Sequence, residues 1–430
     1  MPLLDHQTRP LASLVVLFAA YKVLLLLLAL GTALVSDYDT STSLFYQHTS
    51  DGDHAPSPAS LSHRLTRWDA LYYVHNARAG RVYEQEWAFA SGLPAAVGWI
   101  LAPLGPRGAG GEAGAGIAVA HLAHLASVLS LHRLTALLFP REPRVAFLSA
   151  ALHVVSPAGL FLSAPYSESP FSALSFAGTY VFALGLGRGR TALPRRAACV
   201  VVAGALLGLA AACRSNGLSS GLLFAVDALQ ALLRLLESPS AGSLLYVAAP
   251  LLGGILVAAG VAVPQFFAWT RYCGPDVPAE LARPWCDKMV PSIYTFVQEH
   301  YWNVGFLRYW TPNQIPLFLL AAPTLALLIA SGIRFLRSPS SAPGVSADGE
   351  LGTFVRVLAA SQTVVSVLAI TNYHVQIVNR VASGYAVWYW WIAGCFLSEG
   401  WKQVGYRIAV AFIMYGCIQA VLFASFLPPA

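Results

Sequence analysis

Apolar segments of about twenty residues recur along the whole chain, and this repetition limits the possible folds more than any other feature. The first one runs from Leu11 to Val35. An α-helix needs about 20 consecutive apolar residues to cross a bilayer, and a spanning barrel needs an alternating pattern that this chain lacks. Only 11% of the residues are charged, about half the usual fraction in a soluble domain. The sequence therefore predicts a single all-α membrane domain, residues 1–430.

Segment length predicts eleven crossings, the first of which we interpret as an uncleaved signal anchor. A further apolar stretch, residues 92–104, is too short to cross and favours a surface or re-entrant helix. The predicted spans are residues 11–35, 113–139, 145–164, 168–187, 197–213, 217–236, 244–269, 313–333, 351–371, 384–398 and 408–427.

The basic residues indicate how these spans are oriented. If residues 92–104 do not cross, the basic clusters all lie on the same side as the N-terminus, as the positive-inside rule requires. Because the clusters are spread over short loops, the net charge of +6 reflects membrane orientation rather than nucleic-acid binding. The same assignment makes residues 334–350 a cytosolic linker. The clusters are Arg141 with Arg144, Arg188 to Arg196, Arg334 with Arg337, and Lys402 with Arg407.

The polar loops with chemically interesting residues all fall on the opposite side, which predicts one composite site built from loops and helix ends. The first of them, residues 36–112, places Asp69, Glu84 and Glu86 among aromatic residues. Aromatic rings stack on sugars and a carboxylate can accept a hydroxyl proton. An interfacial amphipathic helix with an aromatic belt is an equal alternative for this stretch.

Other loops on that side supply ionisable groups. Glu168, two residues after Tyr166, is either a functional acid at membrane depth or a helix-capping acid. Four residues in two further loops suit a phosphate, although head-group contacts or pairing with loop carboxylates explain them equally well. These four are Arg214, Asn216, His374 and Arg380.

The aromatic residues of the second long loop, residues 270–312, include the six residues Trp285, Tyr294, Tyr301, Trp302, Tyr309 and Trp310. That number exceeds what a membrane belt requires and favours sugar stacking. We expect Trp302 and the polar residues His300 and Asn303 beside it to bind substrate.

Cys273 and Cys286 lie in the same loop without the spacing of a zinc site, so an oxidising lumen favours a disulfide. The sequence has no Gly-rich phosphate loop, His-x-x-x-His pair or nucleophile elbow. These absences disfavour a nucleotide-sugar enzyme, a metalloprotease and a serine hydrolase. We predict no metal site and no cofactor.

Seven ordered motifs, from the first span almost to the end of the chain, resemble the PIG-V family, the family of GPI mannosyltransferase II. The motifs are Trp68–Tyr73, Tyr83–Phe89, Ser163–Ser169, Cys213–Gly217, Pro291–Tyr294, His300–Phe306 and His374–Arg380. The resemblance implies a C-type glycosyltransferase fold in the membrane of the endoplasmic reticulum, with a lumenal active site. It implies transfer of the second, α-1,6-linked mannose from dolichyl-phosphate mannose to the GPI-anchor precursor. It also implies a small accessory membrane subunit, as in fungal members.

The residues themselves agree with such chemistry. A lipid-phosphate leaving group can be stabilised by Arg or His without a metal, and hydroxyl attack needs one general base. We expect Asp69 to be that base, because it stands at a helix start where Trp68 and Tyr72 can stack on sugar. Arg67 or Arg214 would then steady the phosphate. Glu84 and Glu86 are expected to orient the acceptor, and Trp87 is expected to bind substrate.

Two other functions remain open from the sequence. One is a dolichyl-phosphate-sugar transferase that acts on another lipid or on protein. The other is a membrane transporter. Transporters usually concentrate ionisable residues in mid-membrane on broken helices and often contain an internal repeat. Here the polar groups gather at one face and no repeat is evident, so the sequence favours the transferase.

Overall fold

A computed structural model gives the structure of most of the chain. In the described residues the fold is entirely helical, and the all-α prediction is confirmed. Residues 50–54 and 105–108 of the predicted first loop, and residues 340–348 of the predicted linker, lie outside the described part. The structure describes residues 7–49, 55–104, 109–186, 193–278, 280, 282–339 and 349–428.

The α-helices are numbered here in chain order. The first nine are α1 (Pro10–Gly31), α2 (Ser41–Thr49), α3 (Leu61–Leu65), α4 (Ala70–Ala79), α5 (Gly92–Leu101), α6 (Ala109–Leu138), α7 (Pro143–Val154), α8 (Glu168–Leu186) and α9 (Leu193–Cys213). The others are α10 (Gly221–Glu237), α11 (Ala241–Cys273), α12 (Ile293–Trp302), α13 (Ile315–Arg337), α14 (Glu350–Thr371), α15 (Val378–Ala382), α16 (Val387–Leu397) and α17 (Lys402–Ala424). Short 3₁₀ helices are Thr32–Leu34, Glu84–Ala88, Ala102–Leu104, Gly159–Leu162, Ser215–Ser220, Pro312–Gln314 and Val375–Ile377.

Nine helical segments in the described part of the chain are long and apolar enough to span a membrane. The prediction of eleven is therefore not confirmed. The two exceptions are residues 145–164 and 384–398, where α7 has 12 residues and α16 has 11. Twelve residues extend about 18 Å, whereas the hydrocarbon core is about 30 Å thick. The apolar residues 92–104 also form a short helix, α5.

The chain leaves helical geometry after α7 for reasons that lie in its sequence. Pro157 and Pro165 have no backbone N–H to donate. Gly159 has a φ of 51°, a conformation that favours glycine. The backbone N–H of Leu160 donates instead to Oε1 of Gln419 on α17, at 2.8 Å. A side chain thus satisfies backbone that a longer helix would have paired, as an apolar environment requires.

The short helices α7 and α16 pack against each other inside the bundle. On α16, Trp388 and Tyr389 are fully buried, and the Tyr389 hydroxyl lies 3.1 Å from Nδ1 of His153 on α7. Just before α16, a Cβ at Gly384 would approach Phe171 to 2.2 Å. This close packing requires glycine at position 384.

The two long polar loops are fastened to each other. The predicted disulfide between Cys273 and Cys286 is present, with Cα atoms 5.5 Å apart. Within the loop that it closes, Arg283 donates two hydrogen bonds to Glu84, at 2.6 and 3.0 Å. The fully buried Trp285 donates a third, at 2.9 Å. Residues 270–312 therefore cover the first loop and position α12 beside it.

Candidate active site

One cavity of about 480 Å³ brings together residues from all five of the polar loops that the sequence predicted on one side. Nine of the predicted site residues line it. They are Trp68, Asp69, Tyr72, Tyr166, Arg214, Asn216, Trp302, His374 and Arg380. The loops are far apart in sequence, so the site exists only in the folded bundle.

Asp69 stands at the start of α4 and faces the cavity. Its side chain is 35% exposed, and its Oδ2 lies 2.9 Å from Nη1 of Arg380. The preceding residue, Trp68, has a φ of 53°, a conformation uncommon for residues other than glycine. Such strain persists only where the surroundings hold it. The turn therefore aims a solvent-accessible carboxylate into the cavity at a fixed point.

Arg67 supports this turn from behind. It is fully buried, and its Nη2 donates to Asp37 at 2.8 Å and to the carbonyl of Ala424 at 3.2 Å. Its own carbonyl accepts a hydrogen bond of 2.9 Å from the Tyr166 hydroxyl. The expected contact of Arg67 with phosphate is corrected by this placement, because its charge is turned away from the cavity and paired with Asp37.

Glu168 lies behind the cavity wall, at the first residue of α8, and is completely buried. Its Oε1 accepts from Nε of Arg380 at 2.5 Å and also from Nη1 of Arg214. A buried carboxylate is costly unless it is paired. Glu168 therefore fixes both guanidinium groups at the cavity. With Asp69 included, the cluster holds two negative and two positive formal charges.

Two aromatic rings lie close to the guanidinium group of Arg380. Its central carbon lies 4.6 Å from the centre of the Phe161 ring and 4.9 Å from that of Tyr166. Rings at this distance attract a cation. Arg380 is thus restrained by two carboxylates and two rings, which leaves it little freedom to leave the cavity.

The remaining polar groups at the cavity are neutral. Burial lowers the pKa of His374, while Asp69 acts in the opposite direction, so the imidazole is neutral near pH 7. Its Nδ1 has no hydrogen-bond partner among the described residues. The Asn216 amide accepts from Arg214 at 3.2 Å and donates to Tyr385 at 3.0 Å. Asn216 therefore orients Arg214.

One face of α12 forms the wall opposite the charged cluster. Tyr294, Gln298 and Trp302 are spaced four residues apart and line the cavity. His300 lies on another face, where its ring stacks on Phe296 with centroids 5.0 Å apart. Asn303 ends the helix in a left-handed conformation, with φ at 49°. Neither His300 nor Asn303 lines the cavity, so the expected substrate contacts of these two residues are corrected.

Three further predicted residues also lie outside the cavity wall. Oε2 of Glu86 accepts the backbone N–H groups of Val82 and Tyr83 at 2.6 and 2.8 Å. Trp87 is buried against the loop of residues 270–312. Partial burial tends to raise the pKa of Glu84, but the hydrogen bonds from Arg283 and Trp285 outweigh it and lower the pKa. The three residues stabilise the loops, because the two carboxylates accept hydrogen bonds there and Trp87 packs in an apolar cluster.

Sequence analysis missed several residues that line the cavity. They are Tyr73, Phe89, Gln298, Tyr373 and Gln376. The four-residue spacing of Tyr294, Gln298 and Trp302 is a helical signal that could have identified Gln298. In the described residues, no group of three His, Cys, Asp or Glu side chains is arranged to hold a metal ion.

A model of the family described as "Mannosyltransferase (PIG-V)" matches residues 11–430. The chain belongs to this family. It is a multi-pass membrane mannosyltransferase, which decides against the transporter alternative. Family membership agrees with a cavity that offers both a carboxylate and paired guanidinium groups.

Curated relatives agree with the family match. A protein of Gibberella zeae named GPI mannosyltransferase 2 is 52% identical, and the alignment covers 100% of both chains. One of Chaetomium globosum with the same name is 46% identical over 98% of this chain and 97% of its own. A rat protein named GPI alpha-1,6-mannosyltransferase 2 is 33% identical, covering 62% of this chain and 56% of that one.

Among solved structures, the oligosaccharyltransferase of Archaeoglobus fulgidus matches with a TM-score of 0.46 and 13% identity. The match covers 93% of this chain and 55% of that one, so the chain spans about half its length.

Proposed function

We propose that this mannosyltransferase adds the second, α-1,6-linked mannose to the GPI-anchor precursor in the lumen of the endoplasmic reticulum. The donor is dolichyl-phosphate mannose. One observation carries the proposal: the accessible carboxylate of Asp69 lies beside two guanidinium groups fixed by a single buried carboxylate, Glu168. The relatives' names supply the acceptor, since they call those proteins GPI mannosyltransferases. The family resemblance also favours the C-type fold and a small accessory membrane subunit.

The charged cluster suits the reacting groups. Asp69 accepts the proton of the acceptor hydroxyl while that oxygen attacks carbon 1 of the donor mannose. The bond from carbon 1 to the phosphate oxygen breaks, and its electron pair leaves with the dolichyl phosphate. Arg214 and Arg380 stabilise the charge on that leaving group through charge-assisted hydrogen bonds. Attack from the opposite face converts a β-linked donor into an α-linked product.

The uncharged walls suit the sugars. Trp68 and Tyr72 flank Asp69 on one side, and Tyr294 and Trp302 stand on the α12 wall. Aromatic faces of this kind stack on the apolar faces of sugar rings. Gln298, between the two α12 aromatics, supplies an amide that can both donate to and accept from hydroxyl groups.

The direct test is lipid analysis of cells depleted of this protein. A GPI precursor that carries one mannose should accumulate. Wild-type protein should clear the precursor, whereas Asp69→Asn protein at the same level should not. Accumulation of a different glycolipid, or none at all, would contradict the proposed acceptor.

A further inference from the structure

Lys22 lies within the first membrane span, on α1, and is almost fully buried, with 4% of its surface exposed. Among the described residues it forms no ion pair with a carboxylate. An ionisable side chain inside a membrane bundle is costly and usually serves a function. The proposed reaction does not use Lys22, so its position calls for another explanation.

The Lys22 amine donates to two groups of one segment. Its Nζ lies 3.0 Å from the carbonyl oxygen of Leu162 and 2.6 Å from Oγ of Ser163. The same carbonyl also accepts a hydrogen bond of 3.0 Å from the hydroxyl of Ser169. Lys22 and Ser169 therefore meet at the Leu162 carbonyl and close residues 162–169 into a compact loop.

This loop carries two residues that build the cavity. Tyr166 bonds to the Arg67 carbonyl behind Asp69, and Glu168 holds Arg214 and Arg380. Residues 163–167 of this loop are not helical, so the regular backbone hydrogen bonds of a helix do not fix their shape. In apolar surroundings, side chains must satisfy the polar backbone that a helix would have paired.

We infer that Lys22 is a positioning residue for the transfer reaction, which holds the loop of residues 162–169 so that Glu168 places both arginines at the donor phosphate. The inference rests on the proposed function. Lys22 does not line the cavity, so it acts through Leu162 and Ser163 rather than on substrate. Reacting groups displaced by about 1 Å can lose about 10²-fold in rate.

The test compares Lys22→Met with wild type, using purified protein, dolichyl-phosphate mannose and a one-mannose GPI acceptor. Methionine keeps an unbranched apolar side chain but cannot donate. We expect kcat per folded molecule to fall about 10- to 100-fold, with KM for the acceptor within about twofold. Thr135→Val is the matched control. Thr135 is fully buried on α6, accepts from Trp390 at 2.9 Å and does not line the cavity, so its loss should lower thermal stability without changing kcat.

A second variant tests the path through Ser163. Ser163→Ala removes one acceptor and leaves α1 intact, so it remains informative if Lys22→Met does not fold. Alone it should lower kcat several-fold. In the double variant the two effects on kcat should not be additive, because both substitutions remove the hydrogen bond between Lys22 and Ser163. Unchanged kcat in either single variant, or full additivity, would overturn the role of Lys22. An inactive wild type would contradict the proposed function and the inference together, whereas an active wild type with equally active Lys22→Met contradicts the inference alone.

Discussion

At the scale of single residues, the positions of the two arginines at the cavity depend on their ion pairs with Glu168. One buried oxygen accepts from both Arg214 and Arg380, and Arg380 also reaches Asp69. Glu168 thereby competes with Asp69 for Arg380. If Glu168 lost its charge, Asp69 would be the sole carboxylate partner of Arg380 in this cluster and would be held more tightly.

Glu168→Gln should therefore damage both activity and stability. Removing one partner of a buried ion pair lowers the free energy of unfolding by about 3–5 kcal/mol. We expect the rate of mannose transfer to fall at least about tenfold. Mannose transfer and thermal unfolding in detergent measure the two effects. Glu84→Gln is the control, because Glu84 pairs with Arg283 outside the cavity. If the two variants lose activity equally, Glu168 has no special role in the site.

The sequence identifies the chemical types of these residues but not their roles. Arg214 and Arg380 stand beside apolar segments and Asp69 stands at a helix start among aromatic residues, and these are local signals. Their pairing with Glu168 is not local, since Glu168 is 46 residues from Arg214 and 212 from Arg380. The same limit applies to Arg67. Sequence position suggested a phosphate ligand, and only the fold reveals that Asp37, 30 residues away, pairs with it.

At the scale of elements, α12 provides a wall whose faces differ in function. Gln298 faces the cavity and His300 faces Phe296. A hydrogen bond contributes about 0.5–1.5 kcal/mol, so Gln298→Ala should raise KM for the acceptor by up to about tenfold. His300→Ala is the matched control on the same helix and should stay within about twofold of wild type. Steady-state kinetics with varied acceptor distinguish them, and the opposite ranking would contradict the orientation of α12.

Helix lengths were predictable where the apolar pattern is uninterrupted, as in α8, α9 and α14. They were not predictable for α7 and α16, because composition alone does not distinguish one continuous helix from a half-length helix whose apolar segment continues as irregular chain. Pro157 follows α7 and Gly384 precedes α16, and both residues are visible in the sequence. Their effect depends on tertiary partners, since Gly384 is required by the approach of Phe171.

At the scale of the whole molecule, a lumenal active site requires that the basic loops and the site loops lie on opposite sides of the membrane. We expect residues 92–104 not to cross, because their helix α5 has only ten residues. A glycosylation acceptor inserted at residues 108–111 should then be modified, whereas one inserted at residues 338–349 should stay bare. Gel mobility before and after deglycosylation measures both. The reverse pattern would place the cavity on the cytosolic side.

The most direct measurement is mannose transfer by the purified protein from dolichyl-phosphate mannose to a GPI precursor that carries one mannose. We expect wild type to form an α-1,6-linked product. Asp69→Asn should slow transfer by about 10²–10⁴-fold, because it removes the general base and keeps the shape of the site. Asp276→Asn, at an exposed loop position, should match wild type. Near-normal transfer by Asp69→Asn, or a product with a different linkage or acceptor, would contradict the account.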